Sequence, residues 1–217
     1  MTPLKLFGVA PYDAQDGRPP APNAALVHFR DLAAVVGDTP VARPTLAPPN
    51  VEEHVRVVDA VFAQQSILPA PPGVVFRTTD ALTRWLEIHY VTLSDALGFV
   101  EGRAAARVYV RPRVPDGALA LPPRTTTQTA EMATDLETIA AGSFRVLRRH
   151  AAASVGAKPS GESAAGFAVG ASFLVERERW TLFADVVAEE GRRTPDLEYV
   201  LTGPWPPYDF VRMQFGT

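Results

Sequence analysis

The chain has 217 residues, 47% of them hydrophobic, with a formal net charge of -3 and no cysteine. That length and apolar share suffice for one large domain or two small ones with cores of their own. The charge excludes the basic excess that a nucleic-acid footprint or a polybasic membrane anchor requires, and the missing thiols exclude disulfide frameworks, thiolate nucleophiles and cysteine metal sites. A chain without cysteine suits a reducing compartment, and the cytoplasm is the expected location. The opening stretch MTPLKLFGVAPYD has too short an apolar run for a signal peptide or a membrane span.

In LKLFGVAPY, Leu4 and Leu6 alternate with Lys5, Phe7 and Val9, which predicts a first strand closed by Pro11. DAQDGRPPAPN follows as a loop. ALVHF, Ala25 to Phe29, reads as a second strand, and LAAVVGD as a short element, a turn of helix, before the proline-rich stretch Pro40 to Pro49. Asn50 with Glu53 three residues on has the form of a capping box, and Val51, Val55, Val58 and Phe62 then mark one buried helical face. SILPAPPGVVF is too rich in proline for helix, so it is expected to be extended, with Val74 to Phe76 pairing with a sheet. Thr78 or Thr79 starts a second helix whose apolar face runs Leu82, Trp85, Leu86, Tyr90, Leu93, Leu97 up to Gly98, and ARVYV returns as a strand. These elements make a small α+β sandwich.

RPRVPDGALALPPR, residues 111–124, is a proline-rich loop, and the domain boundary is placed there: 1–112 and 113–217. Met132, Leu136 and Ile139 recur at helical spacing in a segment that runs to about Ala153 with a kink at Gly142 and Ser143, or that breaks at Gly142 into a strand at FRVL. SVGAKPSGES is a flexible turn. GFAVGASFLVER places Phe167, Val169, Ala171, Phe173 and Val175 on one face at period two, a strand. A further helix carries Trp180, Phe183 and Val187, GRRTPD breaks it, and the strand LEYVL runs into GPWPP.

Catalytic signatures are missing from this pattern. His28, His54, His89 and His150 are scattered without metal-ligand spacing and read as surface or half-buried residues. Glu52, Glu53 and His54 read as helix N-terminal charge, and Glu189 with Glu190 as helix surface. There is no nucleophile elbow, phosphate loop or dinucleotide fingerprint, so no cofactor is expected. Arg145, Arg148, Arg149 and His150 form the densest basic cluster, read either as solvated helix-end charge or as a docking point for an acidic partner. A binding or assembly protein is favoured over an enzyme with an unrecognised interdomain site.

Pro204, Pro206 and Pro207 fix the backbone of the last motif and remove amide donors, so the segment is expected to leave the sheet on a polyproline-like path. A stiff segment loses little entropy when it docks, which makes Trp205 and Tyr208 candidate aromatic anchors; the alternative is that Trp205 folds back and seals its own core.

LTGPWPPYDF closely resembles the C-terminal signature of the gas vesicle GvpL/GvpF family, which typically reads TGPWPPYSF. LKLFGVAP, VEEHVRVVDAVFAQQSILP, VVF and ASFLVERERWTLFADVV fall in the family's order, so the resemblance spans nearly the whole chain. It implies a cytoplasmic, non-enzymatic accessory protein of gas vesicle assembly with an N-terminal ferredoxin-like α/β sandwich and a C-terminal α+β domain with antiparallel sheet and long helix. Its expected partners are the small hydrophobic shell protein GvpA and other gas vesicle accessory proteins. Two segments depart from the pattern: Pro71, Pro72 and Gly73 stand where the family tends to have Arg-Phe-Gly, and Ala105 where a glutamate is common. A divergent paralogue recruited to another cytoplasmic assembly is the alternative that these changes allow.

Overall fold

The computed structural model describes residues 2–13, 21, 23–40, 46–113, 126–157 and 168–211. β1 (Leu4–Pro11) and β2 (Ala25–Phe29) form where expected. LAAVVGD, however, is not helical: it is strand β3 (Leu32–Asp38), paired antiparallel with β1 on one side and β2 on the other. Its six residues Leu32 to Gly37 are all buried, so the run is apolar on both faces and shows no period two.

α1 (Pro48–Phe62) starts earlier than the capping box placed it, with Ala47 at the N-cap and no side-chain cap. The face it buries is His54, Val57, Val58, Val61 and Phe62, while Val55 is exposed. β4 (Leu68–Pro69) and β5 (Val75–Phe76) share the remaining edge of β1, giving the order β2-β3-β1-β4 with β5 also on β1. Gly8 permits this: a Cβ there would lie 2.6 Å from the Leu68 carbonyl oxygen and 2.8 Å from Ile67. α2 (Thr79–Val100) is capped by the Thr78 side chain, which accepts from the Ala81 amide at 3.1 Å. It buries Leu82, Leu86, Leu93, Ala96, Leu97 and Val100, and continues past Gly98 for two residues.

The second sheet has the order β7-β8-β6-β9 and contains β6 (Arg103–Pro112), β7 (Ala153–Ala157), β8 (Val169–Glu176) and β9 (Leu197–Trp205). α3 (Thr126–Leu147) runs unbroken through Gly142, so FRVL is not a strand, but it ends at Leu147, short of Ala153, which already belongs to β7. Part of the expected flexible turn is β7, antiparallel to β8. In β8, Ser172 and Leu174 are buried beside Ala171, Phe173 and Val175, so both faces are covered; Phe167 lies outside the described residues. α4 (Trp180–Arg193) adds Phe183 and Val187 to a core in which Phe173 meets Phe144 at 5.9 Å and Phe183 at 5.4 Å between ring centroids.

The fold is α+β, and the chain divides into two units: Met1–Arg103 with Trp205–Thr217, and Ala104–Pro204. The division therefore does not follow 1–112 and 113–217. Ala106, Val108 and Val110 of β6 belong to the core of Phe173 and Phe183, which draws that strand into the second unit, whereas residues after Pro204 return to the first. Arg111 and Pro112 of the expected proline-rich loop are the end of β6, and its residues 114–124 lie outside the described residues.

Candidate partner-binding surface

β9 does not stop before GPWPP. It continues through Pro204 to Trp205, because β9 is the edge strand of its sheet and an edge position tolerates a residue without an amide donor. Gly203 has φ +122, which a side chain would strain, and the Gly203-Pro204 bond is cis. Pro206 and Pro207 then end the strand, both buried, and a short 3-10 turn, Tyr208–Phe210, follows with the Phe210 amide donating to the Pro207 carbonyl at 3.0 Å.

Trp205 and Tyr208 of the motif have different surroundings. Trp205 is 43% exposed, although it is the last residue of β9. The Tyr208 hydroxyl is buried without a hydrogen-bond partner, and burial, reinforced by the Asp59 carboxylate of α1, holds it well above the usual phenol range. Within the first unit, then, Pro206, Pro207 and the Tyr208 hydroxyl are buried, whereas Trp205 keeps part of its surface in contact with solvent. Arg145, Arg148 and Arg149 are exposed at the end of α3 and in the 3-10 turn after it, where Arg148 Nε donates to Ser154 Oγ at 3.1 Å. They belong to the second unit and Trp205 to the first, so neither unit holds both groups.

Other polar residues are placed more deeply than their sequence context indicates. Glu53 pairs with Lys5 of β1 at 2.5 Å rather than capping α1. His54 is 5% exposed, donates from Nε2 to the Ala70 carbonyl at 2.9 Å, and is held below its ordinary pKa chiefly by burial. Beside it lies a cavity of about 290 Å³ lined in part by Lys5, Phe7, Asn50 and Gly73. Glu190 is also buried, paired with Arg193 at 3.0 Å. The spacing Phe183, Val187, Glu190 puts it on the core face of α4, a signal legible in the sequence that the charge obscures. A second cavity, about 460 Å³, lies between α4 and β9 and includes Arg113, Arg192, Glu198 and Tyr199; Arg111 closes on Glu198 with two hydrogen bonds of 2.8 and 3.1 Å. Among the described residues no three His, Asp or Glu side chains gather as a metal site would require.

The sequence matches the profile of the family described as gas vesicle synthesis protein GvpL/GvpF over residues 6–127 and 124–212. The chain belongs to the GvpL/GvpF family. Halobacterium salinarum gas vesicle protein F2 is 29% identical to it over 204 residues, covering 93% of this chain and 86% of the relative. Gas vesicle protein F1 of the same organism is 24% identical over 193 residues, covering 88% and 82%. In fold it is similar to the crystal structure of gas vesicle protein GvpF from an Anabaena species, with TM-score 0.75, 16% identity and coverage of 98% and 97%. GvpF from Microcystis aeruginosa is similar with TM-score 0.71, 14% identity and coverage of 98% and 100%.

In this GvpL/GvpF protein Pro72 and Gly73 border the cavity beside His54, and Gly73 has φ +96. Ala105 in β6 is 1% exposed, so its small apolar side chain fits where a carboxylate would need a buried partner. No helix among the described residues is long and apolar enough to cross a membrane.

Proposed function

We infer that this chain is a non-enzymatic, cytoplasmic accessory protein of gas vesicle synthesis that binds the small hydrophobic shell protein GvpA as a chaperone or nucleator. A very apolar subunit aggregates through exposed surface before it assembles, and a protein that covers part of that surface shifts the balance toward the assembly-competent form. The observation that carries this reading is Trp205, a large aromatic ring left 43% exposed at the end of a strand whose next two residues, Pro206 and Pro207, are buried. An indole on a stiff support is a suitable hot spot, because little is lost in ordering it. Tyr208 and the prolines act in this reading as the support, and Arg145, Arg148 and Arg149 as a second, electrostatic contact that sets encounter rate more than affinity.

The test is co-purification of the tagged protein with co-expressed shell protein, comparing wild type with Trp205→Ala. Folding of the variant is checked by circular dichroism, and binding by folded Trp205→Ala should weaken by about 2 kcal/mol or more, roughly 30-fold. Equal capture of the shell protein by both chains would remove Trp205 from the interface.

A further inference from the structure

The core-facing side of α2 leaves a second apolar feature on the opposite side of the same helix. Ala81, Arg84, Ile88, Val91, Asp95 and Gly98 are all exposed, Ile88 and Val91 to 68% each. Their successive spacings are three, four, three, four and three, the repeat of a two-helix seam, and they lie on the side of α2 away from Leu86, Leu93 and Leu97. A helix on the surface of a monomer normally carries polar groups there. Among the described residues neither Arg84 nor Asp95 has an ion-pair partner. Gly98 is also unexplained by the fold: a Cβ at that position would meet nothing within 4 Å, although a glycine inside a helix weakens it.

We propose that α2 pairs antiparallel with α2 of a second copy of this chain. The seam is complementary to itself about a twofold axis midway between Ile88 and Val91. Ile88 then faces Val91 of the second copy, Arg84 faces its Asp95, and Ala81 faces its Gly98. Each layer is matched: apolar on apolar at the centre, opposite charges on either side, and small residues beyond them that let the backbones approach. A parallel pairing lacks this match, since it sets Arg84 against Arg84 and Asp95 against Asp95. The charges thus select both the partner, a second copy, and its direction. The contact is shorter than a standard interface, so the dimer is weak and forms at micromolar to millimolar concentration.

Sedimentation equilibrium of the full chain up to millimolar concentration tests this. Wild type should associate to a dimer. Arg84→Glu and Asp95→Arg should each reduce the association constant by about tenfold or more, because every flanking layer then sets like charges together. An equimolar mixture of the two variants should dimerise again, because each charge in one meets its opposite in the other. A wild type that stays monomeric throughout overturns the proposal. So does a dimer that Arg84→Glu leaves intact, or a mixture of the variants that remains monomeric. Capture of the shell protein through Ile88 and Val91 by a monomeric chain would give this face a different occupant and overturn it as well.

Discussion

His54 combines burial, a hydrogen bond and a pH-sensitive charge in one side chain. Its imidazole is neutral when folded, with a pKa depressed below 6.5, the ordinary value, mainly because burial disfavours the cation. A depressed folded pKa gives stability that is fully present above the unfolded value and is lost as pH falls through the folded one, since only the unfolded chain takes up the proton readily. Urea unfolding followed at pH 7 and pH 5 should therefore show a lower midpoint at pH 5. His54→Gln, which retains a donor for the Ala70 carbonyl, should flatten that dependence; an unchanged pH difference in the variant would place its origin elsewhere. The sequence showed a histidine on a helix but not which face it occupies. Val51 and Val55 offered a credible apolar stripe, and the helix instead turned His54 and Val57 inward. A ring of that size is buried when its polar atom finds a carbonyl, and the Ala70 carbonyl lies 16 positions along the chain.

Helix ends show where local chemistry was sufficient and where it was not. Thr78 caps α2 as expected, since its hydroxyl meets an amide three residues on and needs nothing from the rest of the chain. α1 begins with Pro48 and Pro49 after Ala47, so proline rather than a capping box marks its start, and Asn50 is already helical. Two substitutions should accordingly move stability in opposite directions: Thr78→Ala lowers it by about 1 kcal/mol, and Ala47→Asp raises it by only about 0.3 to 0.5 kcal/mol through the helix dipole, because Pro48 and Pro49 offer no amide to a side-chain cap and the Asn50 amide already donates to the residue-47 carbonyl. Thermal unfolding of both variants measures this; a stabilising Thr78→Ala or a destabilising Ala47→Asp would contradict these capping assignments. Strands were legible where one face is wet, as in β2, and misread where both are dry. β3 is the instructive case: Ala33, Ala34, Val35 and Val36 sit at the centre of a sheet, and an apolar run of that kind has no period to distinguish it from a turn of buried helix.

At the scale of the whole molecule, family membership was legible from the spacing of glycine, tryptophan and proline in one short motif, whereas the assignment of segments to units was not. Proline-rich loops are reasonable boundaries by composition, but β6 follows its apolar partners into the second core, and the closing segment joins a unit that starts at the other end of the sequence. Pro206, Pro207 and Val211 are buried parts of the first unit. Deleting residues 206–217 should therefore cost that unit at least about 2 kcal/mol. Amide hydrogen exchange would detect the loss as faster exchange in β1 and β3 with β8 little changed. Retained protection in β1 and β3 would show that the returning segment adds nothing to the first core. The return also sets a timetable. About a hundred residues separate Arg103 from Trp205, and a ribosome adding roughly 5–20 residues per second needs about 5–20 s to make them. The second unit is contiguous and complete as soon as Pro204 has emerged, whereas the first waits for the residues after it, so the part of the protein that is made first is finished last.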